Sequence, residues 1–223
     1  MTTFVIVHGS WAGGWYFHDT ARLMRAAGHD VYSPTLTGIG KRVHLGHPDV
    51  DLSTHILDIV NVIKYENLQD VILVGYSYGG MVTTGVAEQV PDRIAQLIYL
   101  DALVPENGQS VADLVPGMVE ALTQVAQEFG DGWQIPHDPP HPQKTPHPLK
   151  TLTEPVELKN PVAVQLPRTY ILFTQNTFPF APLLASTAAR AQEEGWTYRE
   201  LAVDHTAPET HPEMIADLLL EFA

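Results

Sequence analysis

Residues 71–79 read Val-Ile-Leu-Val-Gly-Tyr-Ser-Tyr-Gly. The first four are β-branched or apolar residues typical of a buried strand, and the last five form a Gly-x-Ser-x-Gly motif. In this context the motif predicts a tight turn between a strand and a helix. The glycines would stand where a β-carbon would collide with neighbouring backbone. The turn would present the hydroxyl of Ser77 as a nucleophile at the carboxyl end of a sheet; the alternative is an ordinary turn with a capping serine.

Strand and helix patterns alternate on both sides of this motif. Strands are predicted over residues 3–8, 29–33, 70–75, 94–100, 168–174 and 197–203. Helices are predicted over residues 15–27, 52–65, 78–90, 182–194 and 212–222, with Ser53 as the N-cap of the second. Because the strands are almost continuously apolar, we expect an α/β fold with a mostly parallel, doubly wound sheet. Ligands of such sheets bind beyond the carboxyl ends of the strands.

The segment 105–167 interrupts this alternation. A helical stretch over residues 111–129 precedes a run rich in proline, from 134 to 148, that is incompatible with regular helix or a central strand. Since the segment lies between the strand that ends at Leu100 and the strand around Tyr170, we expect it to lie over the carboxyl edge of the sheet. We interpret it as a short cap over the site, with a passive surface loop as the alternative. The predicted core domain is then 1–104 together with 168–223.

A serine nucleophile needs a base within hydrogen-bond reach. Among 11 histidines, His205 is the candidate because it follows the end of the last predicted strand, whereas His211 looks like a surface residue. The acid that orients this base is less evident. The usual position, after strand 168–174, holds Asn176, and the nearest acid at the same sheet edge is Asp101, which could equally be a turn residue. Asp204 directly precedes the base and would point away from it.

An oxyanion hole requires backbone N–H groups close to the substrate oxygen. The glycine-rich loop over residues 9–14 and the turn after the nucleophile supply candidates, namely the N–H groups of Ser10 and Tyr78. The aromatic residues around these loops could either line a pocket or pack in the core; they are Trp11, Trp15, Tyr76 and Tyr78.

Composition limits the classes of partner. The chain has 223 residues, no cysteine and a formal net charge of −14, from 12 basic and 26 acidic residues. Disulfides, thiolate metal sites and a cysteine nucleophile are therefore excluded, and the charge disfavours nucleic acid, anionic membranes and, mildly, anionic substrates. We expect no cofactor and no metal, although His137, His141 and His147 form a weak alternative metal set. Without a secretory signal we expect a cytoplasmic protein, with a homodimer left open.

These motifs together resemble the α/β-hydrolase superfamily. The resemblance rests on residues 5–9, 13–15, 75–80, 99–105 and 204–205, and it is closest to plant methyl-ester esterases, hydroxynitrile lyases and related bacterial esterases. It implies Ser77 as nucleophile, His205 as base and an aspartate where this chain has Asn176. The lyases carry a lysine after the histidine, here Thr206, and a threonine at the position of Gly9, so the resemblance favours ester hydrolysis.

The predicted function is that of a serine hydrolase acting on a small, neutral, apolar ester. Two alternatives remain open at this stage. One is a lyase that uses the same serine and histidine on a carbon–carbon bond, and the other is a ligand-binding member of the fold without hydrolytic activity.

Overall fold

A computed structural model describes all residues 1–223, and a six-stranded, fully parallel sheet lies at its centre. The strand order is β2-β1-β3-β4-β7-β8. The strands of this sheet are β1 (Thr3–Val7), β2 (Asp30–Tyr32), β3 (Val71–Tyr76), β4 (Ile94–Leu100), β7 (Arg168–Phe173) and β8 (Thr197–Leu201). Two short strands, β5 (Gln134–Ile135) and β6 (His147–Pro148), form a separate antiparallel pair.

Ten α-helices accompany the strands. They are α1 (His18–Ala26), α2 (Leu52–Tyr65), α3 (Gly79–Gln89), α4 (Val111–Leu114), α5 (Met118–Phe129), α6 (Lys150–Thr153), α7 (Pro161–Val164), α8 (Ala181–Glu193), α9 (Ala207–Thr210) and α10 (Pro212–Leu220). Short 3₁₀ segments cover Gly14–Phe17, Gly40–Leu45 and Pro91–Arg93. None of the helices is both long and apolar enough to cross a membrane.

The sheet separates two hydrophobic cores, because successive side chains of a strand point to opposite faces. In β1, Val5 and Val7 belong to the core beneath α2, α3 and α8, whereas Phe4 and Ile6 belong to the core beneath α1 and α10. Helices therefore cover both faces, and the predicted α/β, doubly wound architecture is confirmed. All six strands run in parallel, so their carboxyl ends share one edge of the sheet.

Two predictions about helices need correction. The single helix expected over 111–129 is divided into α4 and α5 around Gly117, which has a left-handed φ of 83°. Helix α2 has the predicted bounds, but its N-cap is Asp51 and not Ser53. The Asp51 carboxylate accepts the N–H of Thr54 at 2.9 Å, whereas the Ser53 hydroxyl donates to Glu154 at 2.8 Å. Ser53 thus lies inside the helix and tethers it to the segment before β7.

This assignment of the cap predicts different costs for two neighbouring substitutions. Asp51→Ala should lower the free energy of unfolding by about 1 kcal/mol, because the partly buried N–H of Thr54 in the first turn loses its acceptor. Ser53→Ala removes only an exposed hydrogen bond and should cost no more than about 0.5 kcal/mol. Urea denaturation of both variants measures the difference in stability. An equal or larger effect of Ser53→Ala would contradict the assignment of Asp51 as the N-cap of α2.

Candidate active site

Ser77 lies on a tight turn between β3 and α3 that only small neighbours allow. A β-carbon at Gly75 would stand 2.5 Å from the Thr83 hydroxyl, and one at Gly79 would stand 2.4 Å from the Val7 carbonyl oxygen. Ser77 itself has a φ of 55°, in the left-handed region that a side chain rarely adopts. Within this turn the left-handed conformation falls on Ser77 itself, as expected where a strand turns sharply into a helix.

Hydrogen bonds tie this turn to the neighbouring strand. The Ser77 N–H donates to the Leu100 carbonyl at 3.3 Å, and the Ser77 carbonyl accepts from Gly80 and Leu103 at 3.1 and 3.0 Å. The serine is therefore connected to the end of β4 and to the residues that follow it. A strained turn that is held on both sides keeps the hydroxyl in one place.

His205 lies within hydrogen-bond distance of the serine. Its Nε2 is 3.0 Å from the Ser77 Oγ, and its Nδ1 is 2.7 Å from Oδ2 of Asp101. The Tyr76 hydroxyl donates to the His205 carbonyl, and the Tyr76 ring stacks on the imidazole with centroids 4.9 Å apart. The rings of Phe178 and Phe180 contact the imidazole edge-on from another direction. The imidazole is thus fixed by packing as well as by its two hydrogen bonds.

Asp101 is fully buried and accepts three hydrogen bonds. Besides His205, the donors are the Phe173 N–H to Oδ1, at 3.1 Å, and the Asn176 side-chain amide to Oδ2, at 2.7 Å. The amide oxygen of Asn176 accepts the Phe178 N–H at 2.9 Å, which sets the orientation of the amide. Asn176 therefore contacts the carboxylate as a donor. The carboxylate of Asp204 instead accepts the N–H and the hydroxyl of Thr206.

The two candidate oxyanion donors belong to residues that line the cavity beside the serine. Ser10 follows β1 and Tyr78 follows the nucleophile, and both residues line the same cavity as Ser77. The backbone N–H groups of Ser10 and Tyr78 have no acceptor within the protein. Two unused donors beside a serine are the arrangement that a tetrahedral oxyanion requires.

A cavity of about 140 Å³ opens above Ser77, and 13 of the 20 residues that line it are hydrophobic. The segment between β4 and β7 contributes part of the lining, from α4, α5, α6 and the proline-rich run. Of the predicted aromatic walls, Trp11, Tyr76 and Tyr78 line the cavity. Trp15 does not; it stacks on His141 with an interplanar angle of 8°.

Two polar side chains of the proline-rich run also line the cavity, and sequence reasoning did not assign them to it. They are His137 and Lys144, both half-buried. Burial lowers the pKa of His137 below its ordinary value, so the ring is neutral near pH 7. Its Nδ1 must carry the proton because it lies 2.6 Å from the Pro139 carbonyl, which leaves Nε2 as an acceptor. The only sequence signal was the proximity of this run to the predicted site.

The three histidines of the weak metal alternative do not converge. His147 is buried, accepts the Trp11 N–H on Nδ1 at 3.4 Å and contacts the Thr151 hydroxyl through Nε2. The rings of His137 and His141 lie 6.5 Å apart in an edge-to-face arrangement, and His141 pairs with Glu209 at 3.3 Å.

Three buried histidines underlie the candidate oxyanion loop. Desolvation lowers the pKa of His8 and that of His55 from 6.5 to about 4, and it lowers the pKa of His147 well below its usual range. His55 donates from Nε2 to the Thr37 carbonyl at 2.8 Å, so its Nδ1 accepts the Tyr78 hydroxyl at 2.9 Å. The neutral ring of His55 therefore connects α2 to the residue that follows the nucleophile.

Comparison with known proteins shows the family to which the chain belongs. A carbendazim-hydrolysing esterase from a Nocardioides species is 55% identical over 116 residues, which cover 52% of this chain and 48% of that relative. The chain thus spans about half the length of this curated relative. An extracellular α/β-hydrolase from a Paenibacillus species is 30% identical, with a TM-score of 0.84 over 99% of this chain and 98% of that one.

A pyrethroid hydrolase from Sphingobium faniae has the same fold, with 22% identity and a TM-score of 0.79 over 99% of this chain and 96% of the other. A family model described as "alpha/beta hydrolase family" matches residues 4–218. Because this match spans nearly all of the 223 residues, the chain belongs to the α/β-hydrolase family, as its motifs indicated.

Proposed function

We propose that this protein hydrolyses a small, largely apolar ester or carbamate through an acyl-enzyme intermediate on Ser77. The observation that carries the proposal is the unbroken hydrogen-bond chain from the Ser77 Oγ through His205 to Asp101, with distances of 3.0 and 2.7 Å, at the base of an apolar cavity. A serine hydroxyl becomes nucleophilic when a positioned base accepts its proton. Esterase names among the relatives support the same reaction class.

The first half-reaction forms the acyl-enzyme. The Ser77 oxygen attacks the ester carbonyl while His205 Nε2 takes the hydroxyl proton, and the carbonyl π pair moves onto the oxygen. The N–H groups of Ser10 and Tyr78 donate to that oxyanion, and the Asp101 carboxylate stabilises the imidazolium through Nδ1–H. When the tetrahedral intermediate collapses, the imidazolium donates its proton to the departing alcohol.

The second half-reaction returns the free enzyme. Water takes the place of the alcohol, His205 accepts one of its protons, and the resulting hydroxide equivalent attacks the acyl carbon. The Ser77 oxygen leaves and recovers the proton from the imidazolium, which releases the acid. The segment 105–167 acts in this proposal as the cap that supplies much of the apolar lining and so selects the substrate.

The proposal predicts labelling of a single serine. A fluorophosphonate probe should react with one equivalent of protein near pH 7.5, and peptide mass mapping should find the adduct on Ser77. His205→Ala should abolish the labelling, because the hydroxyl proton then has no acceptor. A label distributed over several serines, or none at all, would count against the mechanism.

A parallel assay separates hydrolysis from the lyase and binding alternatives. Purified protein is incubated separately with p-nitrophenyl acetate, with mandelonitrile and with carbendazim. Carbendazim is the methyl carbamate that appears in the name of the Nocardioides relative. We expect release of p-nitrophenol and methanol but no cyanide. Cyanide without ester turnover would favour a lyase, and inactivity towards all activated esters would favour a binding protein.

A further inference from the structure

Lys144 is the one lysine among the residues that line the cavity, and the proposed reaction gives it no role. The backbone beside it is anchored to the candidate oxyanion loop. The Thr145 N–H donates to the Trp11 carbonyl at 3.0 Å, and the Thr145 hydroxyl accepts the Gly40 N–H at 2.7 Å. The lysine therefore extends from a fixed point of the proline-rich run.

The Lys144 ammonium has no carboxylate partner. It belongs to none of the ion pairs within 4.0 Å, all of which involve other lysines, arginines or histidines. Glu209 is the one acid that raises the pKa of Lys144, and its carboxylate contacts His141 Nε2 at 3.3 Å and makes no ion pair with the lysine. The ammonium lies over the ring of Tyr16, with 5.8 Å between Nζ and the ring centroid. Desolvation nevertheless dominates and lowers the pKa of this lysine.

A partly desolvated cation without a partner is unfavourable, and an anion in the same space relieves that cost. The other polar side chain contributed by the run is His137, a neutral ring with a free acceptor on Nε2. That ring cannot neutralise the ammonium, and most of the remaining lining is apolar. The cavity therefore has an apolar body with one positively charged point, although the protein as a whole carries a net charge of −14.

We propose that Lys144 binds a carboxylate, or an equivalent anionic group, of the substrate, so that the cavity selects esters with an acidic end. This inference rests on the proposed function. The net charge of the protein mildly disfavours anionic substrates, whereas the site itself would favour them. Loss of a hydrogen bond to a charged group should change the selectivity between acidic and neutral esters about tenfold or more.

The test uses two pairs of esters that differ mainly in charge. The first pair is p-nitrophenyl hemiglutarate, which has a carboxylate on its acyl side, and the neutral p-nitrophenyl valerate. The second pair is p-acetoxybenzoate, which has a carboxylate on its alcohol side, and the neutral phenyl acetate. For at least one pair, Lys144→Met should lower the ratio of kcat/KM for the acidic ester over the neutral one about tenfold, mainly through KM. Lys144→Glu should lower it further. Lys150→Met is the matched control, because Lys150 pairs with Asp51 at 3.3 Å and does not line the cavity.

A binding measurement keeps the inference separate from the reaction. Calorimetry on Ser77→Ala protein, with and without Lys144→Met, measures the affinity for monomethyl glutarate against methyl valerate. If the protein prefers monomethyl glutarate and this preference depends on Lys144, the inference is supported even when no ester is hydrolysed. The absence of hydrolysis would then overturn only the proposed function. Hydrolysis of neutral esters combined with unchanged ratios and unchanged affinities for Lys144→Met would overturn the inference alone.

Discussion

Asp101→Asn is expected to reduce kcat/KM for an ester by about four orders of magnitude, as amide replacement of the orienting acid does in serine proteases. The structure gives the reason. The carboxylate accepts from His205, Asn176 and Phe173, so all of its neighbours are donors. An amide at position 101 would direct its NH₂ group either at the imidazole, which selects the wrong tautomer, or at another donor.

A second substitution should restore much of this loss. The Asn176 amide nitrogen lies 3.4 Å from His205 Nδ1 and 2.7 Å from the Asp101 carboxylate. Asn176→Asp, made together with Asp101→Asn, would exchange carboxylate and amide between two positions that both reach the imidazole. We expect the double variant to regain about tenfold to a hundredfold of the activity, a partial recovery because 3.4 Å is longer than a good charge-assisted hydrogen bond.

Steady-state kinetics with p-nitrophenyl acetate compares the two variants, and circular dichroism checks that both fold. Asn176→Ser is the matched control in the Asp101→Asn background, because it changes the same side chain without adding charge. Two outcomes would refute the assignment. The first is an Asp101→Asn variant that retains more than about a tenth of the wild-type rate, and the second is a double variant no better than Asp101→Asn alone.

The uncertainty about this acid shows what sequence could and could not predict. Helix α2 and strand β4 have the bounds that apolar periodicity predicts, and the family resemblance is confirmed over residues 4–218. Periodicity places both Asp101 and Asn176 at the ends of adjacent strands, but it does not say which side chain reaches the imidazole. That choice depends on the left-handed φ of 45° at Asp101 and on the register between β4 and β7, both of which are tertiary features.

The lining of the cavity was less predictable for a different reason. Prolines between residues 134 and 148 remove the hydrogen-bond periodicity from which elements are inferred, so the direction of a side chain such as Lys144 has no sequence signal. The same run nonetheless contributes β6, because His147–Pro148 forms an edge pair of only two residues that needs few backbone donors. The buried histidines beneath the oxyanion loop were likewise invisible, since their partners come from distant segments.

Acid is expected to destabilise this protein strongly between about pH 6.5 and pH 4. The pKa of His8 and that of His55 are lowered to about 4 in the folded state by desolvation, whereas unfolded chains have histidines with an ordinary pKa of 6.5. The unfolded state therefore binds more protons in this window, so stability is present above pH 6.5 and is lost as the pH falls. Each histidine accounts for about 3 kcal/mol over the whole window.

The groups around these rings do not remove the effect. Desolvation is the largest contribution at both rings. The backbone hydrogen bonds to Gly9 and Thr37 raise the pKa of His8 and that of His55, and the charges of Asp58 and Asp51 raise them further, but desolvation exceeds these contributions. His147 packs against His55 with ring centroids 6.1 Å apart and has its own pKa well below the usual range. Two or three such groups can together remove a large part of a typical stability of about 5–15 kcal/mol. We therefore expect unfolding in mild acid, before most carboxylates are protonated.

Urea denaturation at several pH values between 7.5 and 4.5 measures this slope. His55→Gln should reduce stability at pH 7.5, because it disturbs the contact with Tyr78, but it should also flatten the dependence on pH by about 1.4 kcal/mol per pH unit near pH 5. His18→Gln, on the exposed start of α1, is the control and should leave the slope unchanged. A merely structural role for His55 would lower stability equally at every pH, so it is the change in slope that identifies a histidine buried in its neutral form.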